Sequence, residues 1–113
     1  MKKKSLQEHL EYNENQFTKR IIFKHGESTV FVLNFMPGQK LPAHKHPGTN
    51  VFILILNGNG TFTIDGVETK AKEREVIHIT SEEELAFHNT GAEPASLYVM
   101  LNKIPDERYA QNI

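Results

Sequence analysis

The sequence predicts an all-β domain, and a double-sheet jelly roll is the architecture it favours. Short runs of β-branched and aliphatic residues recur at spacings of roughly 8–12 residues, which is typical of sandwiches and barrels. Strong turn signals separate these runs, and no long helical period is present. The signals include His25-Gly26, Asn57-Gly58-Asn59-Gly60, Asp65-Gly66 and Thr90-Gly91. With 113 residues, the chain has the length of one domain.

The chain divides into a barrel with two short flanks. Residues 1–16 are predicted to form a tail with a short helix, residues 17–104 the β-barrel, and residues 105–113 a polar tail. The helix prediction depends on Ser5-Leu-Gln-Glu8, which fits the capping-box pattern at a helix start. Leu6 and Leu10 lie on one face of that helix.

The strand predictions begin with a hairpin. Arg20 to Lys24 and Glu27 to Phe35 flank the His25-Gly26 turn, and both faces of the second arm are largely apolar. An antiparallel strand with two apolar faces is covered on both sides. The later strands are predicted at Ala43 to His46, Val51 to Leu56, Thr61 to Asp65, Val67 to Lys72, Arg74 to Ile79, Leu85 to Asn89 and Ala95 to Ile104.

Composition excludes several classes of function. The 13 basic and 14 acidic side chains nearly balance, so neither nucleic acid nor a membrane surface is indicated as a partner. The absence of cysteine removes disulfides, thiolate metal sites and thiol nucleophiles. The longest apolar run, Val51 to Leu56, is too short to span a bilayer, and the N-terminus lacks a signal-peptide core. We therefore expect a cytoplasmic protein.

Two histidines form the chain's one metal-like constellation. His44 and His46 are two residues apart in a predicted strand, so both imidazoles point to the same side. Imidazole is the commonest protein ligand for borderline metals. The pair therefore predicts a polar site inside the barrel.

The stretch from Gly38 to Gly58 resembles the first motif of the cupin superfamily. That motif reads Gly, five residues, His-x-His, three or four residues, Glu, six residues, Gly. Gly38, His44, His46 and Gly58 match it, and the glutamate position falls on Val51, or on Asn50 with the shorter spacing.

A second cupin motif is matched at its two ends. Gly66 opens the match, and Asn89-Thr-Gly91 closes it, while the family's histidine position falls on Leu85. The resemblance covers residues 25 to 104 and implies a cupin-like double-stranded β-helix, a jelly-roll barrel.

The resemblance also implies a divalent metal, with Zn, Ni, Mn, Fe or Cu as candidates, at His44 and His46. Catalytic metal sites generally need three protein ligands. Gln39 and His78 are candidates for a third ligand, as is Glu84 beside the replaced histidine position. The alternative is that the two imidazoles are polar lining that hydrogen-bonds a ligand.

The predicted pocket is unusually apolar. If residue 51 faces inward, strand alternation turns Ile53 and Ile55 inward as well. The predicted pocket residues are His44, His46, Val51, Ile53, Ile55, Leu85 and Phe87. Such a cavity is typical of a small-molecule site. The alternative is that these side chains fill the barrel.

The same alternation turns Phe52, Leu54 and Leu56 outward. A monomer rarely exposes a contiguous apolar row of this size. Since cupins are commonly homodimers, the resemblance implies a homodimer that covers the row. The chain's own N-terminal segment is the alternative cover.

These observations predict a small cupin-like protein that binds a small molecule in its barrel without the family's usual metal chemistry. One alternative is a metal-dependent oxygenase or isomerase that uses His44, His46 and a non-standard third ligand. Another is a non-catalytic regulatory or interaction module. The sequence does not name the ligand.

Overall fold

The computed structural model describes residues 1–103, which form nine strands in two antiparallel sheets. The all-β prediction is confirmed. The strands are β1 (Thr18–His25), β2 (Ser28–Phe35), β3 (Lys40–His44), β4 (Thr49–Asn57), β5 (Gly60–Ile64), β6 (Val67–Ala71), β7 (Val76–Ile79), β8 (Leu85–His88) and β9 (Ala95–Lys103). The predicted C-terminal tail lies outside the described residues.

The strand order interleaves early and late parts of the chain. One sheet has five strands in the order β1-β2-β9-β4-β7, and the other has four in the order β3-β8-β5-β6. Because β3 and β5 lie in the small sheet and β4 in the large one, the chain crosses between sheets as in a rolled-up double sheet. Phe35 of β2 pairs with Ala95 of β9, so strands distant in sequence form the middle of the large sheet.

The core lies between the sheets. Phe87 of the small sheet packs against Phe35 of the large sheet with ring centroids 4.9 Å apart, and against Phe62 at 5.0 Å. All three aromatic side chains are buried. Apolar residues at alternate positions of β2, β4, β8 and β9 complete the core, as the period of two requires.

The predicted N-terminal helix is a single 3-10 turn over Leu6–His9. The hydroxyl of Ser5 accepts a hydrogen bond from the Gln7 N–H at 3.3 Å, so Ser5 caps the turn, although not through the Glu8 N–H as the predicted capping box requires. No side chain of the turn is buried, and four residues are too few to propagate an α-helix. Among the described residues, no helix has the length and apolar character needed to cross a membrane.

A polar network attaches the N-terminal segment to the outer face of the five-stranded sheet. The Tyr12 hydroxyl lies 2.6 Å from Ser96 Oγ, and Ser96 Oγ donates to Asn34 Oδ1 at 2.7 Å. Asn34 Nδ2 in turn donates to the His9 carbonyl at 2.9 Å. Ser96 and Asn34 are fully buried, so each needs these partners.

The N-terminal segment covers only part of the predicted outward row. Phe52, Leu54 and Leu56 are half-buried, and Lys4 and Leu6 lie over a groove that includes Leu54. Further along the same face, apolar side chains stay open to solvent: Met100 is 38% exposed and Val76 66%.

Two positions show how turn chemistry closes the barrel. Asp65 and Gly66 both have positive φ, 50° and 80°, as a two-residue hairpin between twisted strands requires. At the other end, Asn89 Nδ2 donates to the carbonyls of Phe35 and Glu93, both at 3.0 Å. Its Oδ1 accepts from the Gly91 N–H at 3.0 Å, so the buried amide joins β2, β8 and the following turn.

Candidate functional site

The two histidines meet where β3 ends. Strand β3 stops at His44, so the predicted strand over Ala43 to His46 is wrong in its bounds, and His46 belongs to the connection to β4. The Thr49 N–H donates to the His46 carbonyl at 3.1 Å and closes a turn through Pro47-Gly48. The two imidazoles still meet edge to face, with ring centroids 4.6 Å apart and planes at 73°.

The orientation of the His44 ring is fixed by the backbone. Nδ1 of His44 lies 2.8 Å from the Pro42 carbonyl oxygen, which can only accept. Nδ1 therefore carries the hydrogen and donates it. In the neutral ring, Nε2 is then an unprotonated acceptor, free to receive a hydrogen bond or to ligate.

Both imidazoles border a cavity of about 180 Å³ between the two sheets. Apart from Lys19, the other residues on its wall are aliphatic or aromatic. The wall consists of Phe17, Lys19, Phe31, Leu33, Leu41, His44, His46, Val51, Ile53, Leu85, Val99 and Leu101. This composition is that of a small-molecule pocket with a few polar groups at one end.

The structure brings most of the predicted pocket residues together. His44, His46, Val51, Ile53 and Leu85 line this one cavity. Ile55 and Phe87 face the same interior but are buried at 1% and 2% exposure in the core, beyond the cavity wall. This cavity thus lies at the histidine end of the barrel.

Sequence reasoning missed the wall contributed by β1, β2 and β9. Phe31, Val99 and Ile53 form one row across β2, β9 and β4, because each is the cross-strand partner of the next. Alternation places Phe31 and Val99 on definite faces of their own strands. Their contact depends on the β2–β9 register, which cannot be predicted from the periodicity of either strand alone.

Basic side chains gather at the mouth of the cavity. Lys19 is exposed, and its ammonium lies over the Phe31 ring, 4.4 Å from the centroid. Burial lowers the pKa of His46, and the neighbouring charges of His44 and Lys19 lower it further. Both effects disfavour a second or third cation in a partly desolvated space.

One predicted third ligand, Gln39, uses both ends of its amide elsewhere. Its Oε1 accepts from the Met36 N–H at 2.8 Å, and its Nε2 donates to the Asn13 carbonyl at 2.7 Å. The side chain therefore joins the strand end to the N-terminal segment.

The other two candidates, His78 and Glu84, do not line the cavity. His78 stacks on Phe52, with centroids 4.6 Å apart, and its Nε2 lies 3.0 Å from Asn50 Oδ1. Phe52 and His78 are cross-strand partners, and both occupy the outer face of the large sheet. Glu84 is exposed beside the Asp65 turn, where its N–H donates to the Asp65 carboxylate at 2.8 Å.

The donor set does not fit a resident divalent metal. Within residues 1–103, no three His, Cys, Asp or Glu side chains come together as a metal site would require. Val51 and Leu85, at the family's ligand positions, present hydrocarbon to the cavity. Two imidazoles supply fewer ligands than structural or catalytic zinc sites use.

Comparisons with solved structures identify the fold. The Thermus thermophilus protein TT1209 is 22% identical, with a TM-score of 0.86 over 93% of this chain and 100% of that one. An RmlC-like cupin protein from Desulfovibrio desulfuricans is 21% identical, with a TM-score of 0.80 over 90% and 96%. A predicted oxalate decarboxylase from Thermotoga maritima is 20% identical, with a TM-score of 0.64 over 84% and 100%.

These identities establish a shared fold alone, and of the three neighbours only the Thermotoga maritima protein is described by an activity. No curated protein sequence matches the chain. The cupin domain family, in contrast, matches over residues 31–101, which include both histidines and the Asn89 turn. By that match and by its double-sheet architecture, the chain belongs to the cupin domain family.

Proposed function

We propose that this cupin domain binds a small, largely apolar molecule in the cavity beside His44 and His46, and that it does so without a resident divalent metal. The observation that carries the proposal is the cavity itself. About 180 Å³ of space lies between the sheets beside the two histidines, and a buried cluster that includes Phe35, Phe62 and Leu97 forms the core. An apolar cavity of about 150 Å³ in another protein accepts benzene, so a ring-sized group fits this scale.

The imidazoles give the cavity one polar end. His44 offers Nε2 as an acceptor when it is neutral, since Nδ1 donates to the Pro42 carbonyl. A ligand with a hydrocarbon body and one polar group could bury the body against Val51 and Ile53 and direct the group to the histidines. Orientation by a few polar groups in an apolar wall is how small-molecule sites obtain specificity.

One observation favours a second candidate, a metal-dependent oxygenase or isomerase. Metal-ligating histidines usually donate their second ring N–H to a carbonyl or carboxylate, as His44 does to Pro42. Such an enzyme would require the substrate or water to complete a coordination sphere that begins with two imidazoles. Because residues 1–103 supply only two imidazoles to such a site, the enzyme is the weaker of the two candidate functions.

Two measurements test the proposal. The purified protein is analysed for metal after expression, and again after loading with Mn, Fe, Ni, Cu and Zn followed by dialysis. Toluene is then titrated into the metal-free protein, and amide shifts are followed by NMR. We expect no stoichiometric metal after dialysis, and toluene-induced shifts concentrated at residues that line the cavity.

A His44→Asn/His46→Asn variant separates the two candidates. Tight, stoichiometric metal in the wild type that this variant loses would overturn the metal-free proposal in favour of the enzyme. Absence of any toluene response at millimolar concentration would overturn the binding function itself.

A further inference from the structure

The ionisable groups around the cavity are all basic. Lys19, His44 and His46 line the wall, and no aspartate or glutamate among residues 1–103 does. The described carboxylates have other positions: Glu11 pairs with Arg20 at 3.0 Å, and Glu27 with Lys103 at 3.6 Å.

Among residues 1–103, no carboxylate forms an ion pair with the Lys19 ammonium, which lies over the Phe31 ring, 4.4 Å from the centroid. Phe31 is also a wall residue, so the charge is held directly beside the apolar space. A cation at the rim of a low-dielectric wall attracts anions more strongly than one surrounded by water.

The cavity combines this positive rim with a hydrocarbon interior. We propose that its ligand is a small monocarboxylate with a ring-sized apolar body, held with the carboxylate against Lys19 and the body between Phe31, Val99 and Ile53. This inference rests on the proposed function, because it names the class of molecule that the same cavity binds.

The basic rim and the apolar interior argue against three other classes of ligand. A cationic ligand would add a fourth basic group with no carboxylate of the described chain on the wall to receive it. A small hydrophilic anion such as acetate would leave the hydrocarbon space unfilled and would lose the burial of apolar area. A neutral molecule would fill the space but would gain no attraction from the Lys19 charge.

The test compares matched ligands by calorimetry or NMR titration at neutral pH. Benzoate, benzamide and benzylamine share one ring and differ in head-group charge, and acetate carries the charge without the ring. We expect benzoate to bind most tightly and benzylamine least. We also expect acetate to bind roughly tenfold or more weakly than benzoate, since the ring supplies most of the buried apolar area.

Substitution of Lys19 tests the head-group contact. Lys19→Met keeps a long apolar stem over Phe31 and removes the charge. Because Lys19 is exposed, we expect benzoate affinity to fall by about five- to tenfold, while benzamide affinity stays unchanged. Lys24→Met is the matched control, since Lys24 is an exposed lysine of the same strand that does not line the cavity.

The outcomes separate the two proposals. If benzamide binds as tightly as benzoate, or Lys19→Met has no more effect than Lys24→Met, the carboxylate inference is overturned and the cavity function stands. If no ring compound binds, both are overturned. Preferential loss of benzoate binding in Lys19→Met supports both.

Discussion

The imidazole rings of His44 and His46 lie edge to face with centroids 4.6 Å apart, although only His44 belongs to a strand. His46 is partly buried beside two other basic groups, and its pKa lies below its ordinary value of 6.5 because of burial first and these charges second. The native state therefore resists protonation of this ring more than the unfolded state does.

This depressed pKa predicts how folding stability depends on pH. Between pH 6.5 and the lower native pKa, the unfolded chain holds more protons at His46 than the native protein does. The free energy of unfolding therefore rises with pH through this window and loses the His46 contribution as pH falls. His46→Gln should flatten the slope, as measured by urea denaturation at a series of pH values.

His25→Gln, which removes an exposed imidazole at the β1–β2 turn, is the control. If both variants change the slope equally, the effect does not come from the histidine pair. An NMR titration that places the His46 pKa at or above 6.5 would also contradict the prediction.

The cavity predicts that two bulky substitutions on β9 differ in their effect on the free energy of unfolding. Val99 lines the cavity, whereas Leu97 lies two residues away on the same face and is fully buried in the core. Val99→Phe can extend into existing space, so its unfolding free energy should change by less than about 1 kcal/mol. Leu97→Phe has no such space and should lose about 1–3 kcal/mol in urea denaturation.

Val99→Phe should also abolish the toluene-induced NMR shifts. Equal destabilisation by both substitutions would mean that the space beside Val99 does not accommodate an added ring.

The Asn89 amide predicts a large loss of stability from a small change. Its side chain makes three hydrogen bonds and is 1% exposed. Asn89→Ala leaves two carbonyls and one N–H without their partner, so we expect a loss of about 2–4 kcal/mol in urea denaturation. Asn102→Ala removes one solvent-exposed hydrogen bond, which Ser28 Oγ donates at 2.8 Å, so it should cost less than about 1 kcal/mol. Similar values for the two variants would contradict the structural role of Asn89.

The spacing of the strands and the inward face of β4 could be predicted from the sequence alone. Val51, Ile53 and Leu85 face the cavity because alternation within a strand is a local property. The Asp65-Gly66 and Asn89 turns are local in the same sense, and both occur where the residues indicate them.

The rest of the site depends on contacts between distant parts of the chain. Lys19 and Phe31 reach the cavity through the β1–β2–β9 pairing, whose register links residues far apart in sequence. Gln39 donates a hydrogen bond to the Asn13 carbonyl of the N-terminal segment, and no local sequence pattern predicts this contact. His78 lies on the outer face because Phe52, its partner on β4, faces outward.

The open apolar side chains on the outer face of the large sheet predict a homodimer. Val76 and Met100 stay exposed beside the part that the N-terminal segment covers. We expect light scattering to give twice the monomer mass at micromolar concentration, and Met100→Glu to weaken association at least about tenfold by burying an unpaired charge. Val67→Glu, at a site 69% exposed on the small sheet, is the control. A wild-type monomer, or equal disruption by both variants, would contradict the prediction.

Val51 and Leu85 occupy the ligand positions of the cupin motifs, so we predict that two substitutions there create a metal site. Leu85 is the cross-strand partner of His44, and both Leu85 and Val51 are buried on the cavity wall. The double variant Val51→Glu/Leu85→His would therefore add a carboxylate and a third imidazole to the existing pair. We expect stoichiometric Zn²⁺ that survives dialysis, because three or four ligands meet the requirement that two do not.

Without metal, this double variant should melt at a lower temperature than the wild type, because it buries polar groups without partners. Zn²⁺ at a hundredfold excess over its Kd should restore about 2.7 kcal/mol of stability. Addition of His44→Asn should remove most of that gain, and His78→Asn, which changes an outer-face imidazole, should not. If the wild type gains as much stability from Zn²⁺ as the double variant does, then two imidazoles suffice, and the metal-free reading of this cavity is wrong.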